Sequence, residues 1–191
     1  FILESISSVL HQSFQDFELI IVDDASSDDT ILKIKQIDDD RIVLIQKPTN
    51  DGHATARNLG IKLSSGPFIA TMDSDDVAAV DRLKMQYQFL MKNTEVGLIG
   101  SLANVISGKG EFLGKINLPT ENGLIKVSLL QENCFVHSSL FYRRDILNKF
   151  NLTYNETFRL ACDYDFISRF SSHQKLANLE ECLMDYRVHE S

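Results

Sequence analysis

The most concentrated chemistry in this 191-residue chain lies in one short stretch, Asp73, Ser74, Asp75 and Asp76. Three carboxylates within four positions repel one another at neutral pH, and an extended backbone puts Asp73 and Asp75 on the same side. A divalent cation relieves that repulsion. All-oxygen donors favour a hard ion, Mg²⁺ or Mn²⁺, over zinc, and such an ion shares its coordination with substrate phosphates. Each acid alone could equally form an Asx turn or cap the helix that starts near Asp81, but for the whole cluster the metal reading is favoured.

The elements that must position these acids follow from the apolar pattern. Gly66 and Pro67 precede Phe68, Ile69, Ala70, Thr71 and Met72, which predicts a buried strand of a parallel sheet with the acids at its carboxyl end. In open α/β sheets that edge is where ligands bind. Phe17 to Val22 predicts a second such strand, ending in Asp23 and Asp24. Before it, Leu3, Ile6, Val9 and Leu10 repeat at helical spacing. After it, Ser26, Ser27, Asp28 and Asp29 offer N-caps for a helix through Ile31 and Ile34 towards Ile37. A strand over Arg41 to Gln46, a loop over Pro48 to Gly52 and a helix over His53 to Leu63 follow, with Gly66 as the helix stop in the C′ manner. These alternating elements have connections suited to right-handed βαβ crossovers, as in a nucleotide-binding sheet.

The second half starts with a helix near Asp81, presenting Leu83, Tyr87, Leu90 and Met91 on one face. A strand over Val96 to Leu102 contains Gly97 and Gly100, which suggests that another backbone comes close. Val105 and Ile106, a turn at Gly108 to Gly110, then Phe112, Leu113 and Ile116 predict an antiparallel hairpin. The remaining expectations are a short helix around Leu124 to Leu130, a mixed strand over Phe135 to Tyr142, a helix end at Ile146 to Phe150, a helix over Tyr164 to Phe170 and a last strand over Leu183 to Val188.

Composition bounds the function. With 43% hydrophobic and 24% charged residues the chain is expected to be a soluble globular protein with one sizeable core. Its net charge of −8 and pI near 5.1, with no Lys/Arg run beside aromatic residues, argue against a nucleic-acid partner. An acidic protein that handles a phosphate needs a cation between the two, which fits the acidic cluster. Cys134, Cys162 and Cys182 are far apart and odd in number, and are expected to be reduced core residues. No run of about 18 apolar residues and no signal peptide is visible, so a cytoplasmic location, at most on the cytoplasmic face of a membrane, is expected. Phe1, Ile2 and Leu3 open an apolar helical pattern with no cap and no preceding strand, as if the natural start lay upstream.

Four stretches taken together resemble family 2 glycosyltransferases of the GT-A fold: DFELIIVDDASSDDT at Asp16 to Thr30, ATARNLGI at Ala54 to Ile61, GPFIATMDSDDV at Gly66 to Val77 and ACDYDF at Ala161 to Phe166. The tail YRVHES from Tyr186 is similar to that family's closing segment. The family's first strand, of Pro-Thr-Tyr-Asn type, has no counterpart here. The resemblance implies an α/β fold with a mixed, mainly parallel central sheet flanked by helices and a smaller acceptor-side lobe. It implies one domain over residues 1–191, with a nucleotide-sugar half at 1–100 and an acceptor half at 101–191.

The implied activity is transfer of a sugar from a nucleoside diphosphate sugar, commonly a UDP-sugar, to a hydroxyl of a saccharide or lipid-linked acceptor, with inversion and with Mn²⁺ or Mg²⁺. Cell-surface polysaccharide or glycan synthesis is the setting implied. On this resemblance Asp24 accepts a hydrogen bond from the base, as a carboxylate can from a uracil N–H; its local alternative is capping the next helix. Asp73 lies near the ribose, Asp75 near the metal, and Asp76 shares that site, the choice of direct ligand between Asp75 and Asp76 being open. Arg57 borders the nucleotide and could bridge Asp24, Asp75 or a phosphate, or form a plain ion pair. Asp163 is the candidate general base, near the start of a helix with Cys162 and Leu160 as apolar neighbours; as an alternative it is a helix cap. Asp165 would point elsewhere. Arg187 and His189 could reach the diphosphate, and His137 could line the acceptor side or be an interior histidine.

Two other readings compete. One is a non-catalytic nucleotide-sugar-binding module. The other is an aspartyl-phosphate phosphatase with Asp73 as nucleophile, disfavoured by the motif's mid-chain position and by the lack of a suitable later Lys and acidic pair. A mononucleotide kinase is a poorer reading still, for lack of a Gly-x-x-x-x-Gly-Lys loop.

Overall fold

The structure, a computed structural model, describes residues 1–189. Glu190 and Ser191, the end of the YRVHES segment, lie outside the described residues. The N-terminal part contains α1 (Ile2–Leu10), β1 (Leu19–Asp23), α2 (Thr30–Ile34), β2 (Ile42–Gln46) and α3 (His53–Leu63). β1 and β2 pair in parallel from Leu19 opposite Ile42 to Asp23 opposite Gln46, as the βαβ reading requires. The expected helix stop at Gly66 is corrected. α3 ends at Leu63, and the extended backbone of Ser64 leaves the helix while its Oγ donates to the Ile61 carbonyl at 2.7 Å. A side-chain hydroxyl thus satisfies a last-turn acceptor that a left-handed glycine would otherwise serve.

The rest comprises β3 (Phe68–Ala70), β4 (Val77–Ala78), α4 (Arg82–Lys92), β5 (Val96–Ser107), β6 (Phe112–Ile116), α5 (Asn122–Ser128), β7 (Phe141–Arg143), α6 (Arg144–Phe150), α7 (Cys162–Ser171) and β8 (Lys175–Val188). These strands form one six-stranded sheet in the order β3-β7-β5-β8-β4, with β6 on the free part of β5. This sheet is mixed: β5 and β8 run parallel along the longest register, while β3 with β7, β7 with β5, β8 with β4 and β5 with β6 are antiparallel. The other parallel pairing is that of β1 with β2 in a separate two-stranded sheet. β3 departs from expectation. It pairs antiparallel with β7, and only Ile69 of its three residues is buried. The ladder stops just beyond Ala70: the Thr71 N–H still donates to the Leu140 carbonyl in register, but the Thr71 carbonyl accepts from Arg82 instead of a strand neighbour.

The predicted strand over Phe135 to Tyr142 is mostly not one. His137–Ser139 form a 3₁₀ turn and only Phe141–Arg143 enter the sheet. Ser139 Oγ donates to the Val136 carbonyl, and Thr71 Oγ1 donates to that of His137, so hydroxyls replace ladder bonds there. β5 and β8 run longer than their apolar patterns, because each extends beside the other past the end of its own hydrophobic run. Gly100 lies where a Cβ would meet Asn178 Oδ1 at 2.4 Å and Phe135 at 2.7 Å. The close neighbours are side chains rather than the backbone expected.

The main core lies between this sheet and helices α5 to α7, around Leu98, Leu140, Tyr142, Tyr154, Phe166, Ile167 and Phe170. Cys134 and Cys162 are buried there as free thiols, whereas Cys182 is only half-buried. Among the described residues β1 pairs only with β2 and β3 only with β7. A cleft of about 1340 Å³ separates them, lined by Leu19 to Val22 on one wall and Phe68 to Ala70 on the other. At the carboxyl ends of those strands the same cleft is bordered by Asp24, Arg57, Asp73, Asp75 and His189. No helix of the described residues is long and apolar enough to cross a membrane.

Candidate active site

Asp24 leaves β1 as the chain turns, and its carboxylate holds the loop that leads into α3. Oδ1 accepts from Lys47 Nζ at 2.5 Å and from the Asp51 N–H at 3.1 Å, and Oδ2 accepts from the Gly52 N–H at 2.8 Å. Gly52 sits at φ 93°, a backbone open chiefly to glycine, and so can aim its amide at the acid. Burial works to raise the Asp24 carboxyl, but Lys47 and the two amides outweigh it and hold the group below its ordinary value. A carboxylate offers about four lone-pair directions, so three donors leave room for one more N–H. Asp23 beside it is buried, with both oxygens 3.3 Å from the Ser26 N–H.

Arg57 projects from α3 to Asp73, not to Asp24 or Asp75. Its Nη2 donates to Asp73 Oδ1 at 2.9 Å, and its Nη1 lies 3.5 Å from Cys162 Sγ. One guanidinium therefore joins the acidic loop to the first turn of α7, where Asp163 stands. Burial disfavours charge on Asp73, yet contact with His137 and Arg57 holds its carboxyl well below the usual carboxylate range. His137 Nδ1 faces Asp73 Oδ1 at 3.5 Å, too far for a hydrogen bond, while Nε2 meets the Tyr154 hydroxyl at 3.0 Å. It is an interior histidine, one of the two alternatives expected for it.

Asp75 and Asp76 part company. Asp75 is half-exposed and its Oδ2 lies 3.0 Å from His189 Nε2. Asp76 is 1% exposed; one oxygen accepts from Ser138 Oγ and the other from the Arg187 N–H at 2.8 Å. Burial pushes its carboxyl up to about 6, against the hydrogen bonds of Ser138 and Arg187 and with the charges of Asp75 and Asp73. The expectation that Asp76 ligates a metal is corrected, because both its oxygens are turned inward to tie the loop to β8. The expectation for Arg187 changes likewise. Its guanidinium, 2% exposed, donates to Glu4 at 2.6 Å, to the Asp75 carbonyl at 2.7 Å and to the Ser107 carbonyl at 3.3 Å. Alternation along β8 turns it under the loop, where it acts as a clamp and has no clear path to a diphosphate.

Among the described residues no three His, Cys, Asp or Glu side chains are gathered so as to hold a metal by themselves. Asp75 with His189 alongside still fits Mg²⁺ or Mn²⁺, which is commonly bound through one or two carboxylates plus substrate phosphates and water.

Asp163 occupies the second position of α7 and is half-buried. Its Oδ2 accepts from Asn133 Nδ2 at 2.8 Å. Cys162 is buried beneath it, but Leu160 is 87% exposed and does not form the apolar wall expected. Asp165 does point elsewhere, paired with Arg169 at 2.7 Å. Burial, then the charges of Asp76, Asp75, Asp73 and Asp163, raise the phenol of Tyr186 on β8. Under the acidic loop lies Arg82, 1% exposed, which donates to the carbonyls of Thr71 and Leu140. Burial lowers its guanidinium to about 10 while Asp76 and Asp73 favour its charge. Sequence reasoning missed Gly52, Arg82, Asn133 and Tyr186. Only Gly52 carried a local signal, as the second residue of an Asp-Gly pair ahead of a helix.

Against known proteins, the family model described as Glycosyl transferase family 2 matches residues 1–150. The chain belongs to glycosyltransferase family 2. An uncharacterized glycosyltransferase of Haemophilus influenzae is 31% identical over 99% of this chain, and the chain spans 62% of that relative's length. The Escherichia coli UDP-Glc:alpha-D-GlcNAc-diphosphoundecaprenol beta-1,3-glucosyltransferase WfgD is 35% identical over 78% of this chain and 58% of its own. The crystal structure of S. aureus TarS 1–349 in complex with UDP superposes with a TM-score of 0.80 at 22% identity, covering 98% of this chain and 56% of that one. This likeness shows the GT-A fold. Membership of family 2 displaces the phosphatase reading.

Proposed function

We propose that the protein transfers a sugar from a UDP-sugar to a hydroxyl of a lipid-linked or saccharide acceptor, with inversion at the anomeric carbon. The observation that carries this reading is the link through Arg57. It joins Asp73, on the loop that borders the donor cleft, to Cys162, the neighbour of Asp163. Recognition and proton removal thereby share one rigid connection.

The roles follow from the geometry. Asp24 accepts an N–H of the base with its remaining lone pair, and Asp73, held ionised by Arg57 and His137, accepts ribose hydroxyls. Asp163 takes the proton of the acceptor hydroxyl through Oδ1, the oxygen that Asn133 leaves free, as that hydroxyl attacks. A hard divalent cation at Asp75 and His189 would supply charge neutralisation for the departing diphosphate, so no acid is needed to protonate it. Asp76 and Arg187 keep the loop that presents Asp75 in place. Support for UDP and for a lipid-linked acceptor comes from the substrates in the name of WfgD and from the UDP complex of TarS. Such an acceptor places the reaction at a membrane surface, and a nucleotide-sugar donor suits its cytoplasmic face.

The test is calorimetry of UDP binding with and without Mn²⁺, followed by UDP release from a panel of UDP-sugars with a GlcNAc-diphosphate lipid. Tight binding is expected only with Mn²⁺, and Asp75→Ala should remove the Mn²⁺-dependent part, on the order of 10-fold or more in affinity. Binding that ignores both the ion and the substitution would refute the metal role. Binding without product from any donor would favour a non-catalytic module.

A further inference from the structure

We propose that Asn133 is a positioning residue for Asp163, holding one oxygen of the carboxylate so that the other is presented to the acceptor hydroxyl. This rests on the reading of Asp163 as general base. Asn133 lies in the loop after α5, thirty positions before its partner, and donates from Nδ2 to Asp163 Oδ2 at 2.8 Å. The orientation of its amide is fixed independently. Asn133 Oδ1 accepts from the Phe135 N–H at 3.1 Å, so the NH₂ group must face Asp163, and a flipped amide would set an oxygen against the carboxylate.

The loop itself is anchored on both sides. Cys134 is 2% exposed and its carbonyl accepts from Asn178 Nδ2 at 3.0 Å. Phe135 packs into the main core, and Tyr164 of α7 donates to the Leu129 carbonyl at 2.5 Å. A rigid support of this kind is what a base needs, because proton removal demands hydrogen-bond reach to the acceptor and a carboxylate free to rotate loses it much of the time. Among the described residues Asn133 is the side chain hydrogen-bonded to the Asp163 carboxylate, and it is the contact that selects its rotamer.

Asn133→Asp separates positioning from scaffolding. The substituted side chain keeps the volume and still accepts from Phe135, but two carboxylate oxygens now face each other where the amide donated. Near neutral pH, kcat for UDP release is expected to fall about 30-fold or more while the donor KM stays within about threefold. As pH is lowered, kcat relative to the parent at the same pH should recover, because a proton shared by the carboxylate pair restores an O–H donor to Asp163. Asn133→Ala, with no proton to share, should lose kcat without that recovery. Parent-level kcat in Asn133→Asp, or a loss that acid does not relieve, overturns the proposal. Asp163→Asn is run beside it: turnover retained there removes the base reading, whereas turnover lost there and unchanged in Asn133→Asp removes this inference alone.

Discussion

Leu19 to Val22 of β1 are all half-exposed, whereas β5 buries Val96 through Ser101 without a break. Both strands are apolar, so the contrast lies in their neighbours and not in their residues. β5 is flanked by β7 and β8 and covered by helices, while β1 has β2 on one side and the open cleft on the other. The two regions divide the chemistry as they divide the packing. The open side carries Asp24 and the loop it holds, and the dense side carries Asp163 on a helix whose inner face is core. On the proposed reading, recognition is built on the lightly packed part and transfer on the rigid part.

The sharpest way to break this comparison is to remove one side chain from each region. Phe166 is fully buried, stacked on Tyr154 at 4.3 Å between ring centroids and tilted against Tyr142. Phe166→Ala should cost about 3–5 kcal/mol, transfer and cavity together. Ile20→Ala, on a wall already open to solvent, should cost about 1 kcal/mol. Urea unfolding of both variants decides it. Equal losses would show that the cleft wall is as tightly packed as the core, and the contrast would be lost.

The same division can be read in kinetics. Asp163→Asn should lower kcat by about 100-fold with UDP affinity unchanged. Asp24→Asn should weaken UDP binding by about 10-fold while kcat at saturation holds within about threefold, because Gly52 and Lys47 lose their anionic partner and the base loses its acceptor. Calorimetry and saturation kinetics on the two variants provide the check. A fall in kcat alone for Asp24→Asn would mean that the open side takes part in the chemical step.

Much of this was legible in the residues. Periodicity placed α1, α3, α4 and α7, and strand ends rich in Asp marked both acidic turns, since those signals act over a few residues. What was not legible depends on partners far along the chain. Asp76 reads like its neighbour Asp75 until β8 returns, over a hundred residues later, to donate the Arg187 N–H to it. Arg187 reads as a phosphate ligand until Glu4 and the Asp75 carbonyl are found beneath the loop. Asn133 is polar and unremarked in a loop, and only the fold sets it against Asp163. Ser64 and Ser139 ended a helix and broke a strand through hydroxyl bonds that propensity does not register.

The smallest expected effect tests what joins the two regions. Glu18, just ahead of β1, accepts from the Ser65 N–H at 2.5 Å, the Ser65 hydroxyl at 2.8 Å and the Gly66 N–H at 3.2 Å, and so ties β1 to the segment that enters β3. The Ser65 amide, opposed by slight burial and helped by the Ser65 hydroxyl, Gly66 and Arg144, lowers its carboxyl below the ordinary 4.5. A lowered acid stabilises the fold above its unfolded value and loses that contribution as pH falls through the folded value. Glu18→Gln should therefore lower the melting temperature slightly near neutral pH, and parent and variant should converge as the pH falls through the lowered folded value. Hydrogen exchange at the Ser65 and Gly66 amides should quicken in the variant at neutral pH, with the amides of β5 unaffected. If β5 quickened equally, the two regions would be opening as one unit, and the difference in packing between them would have no counterpart in local stability.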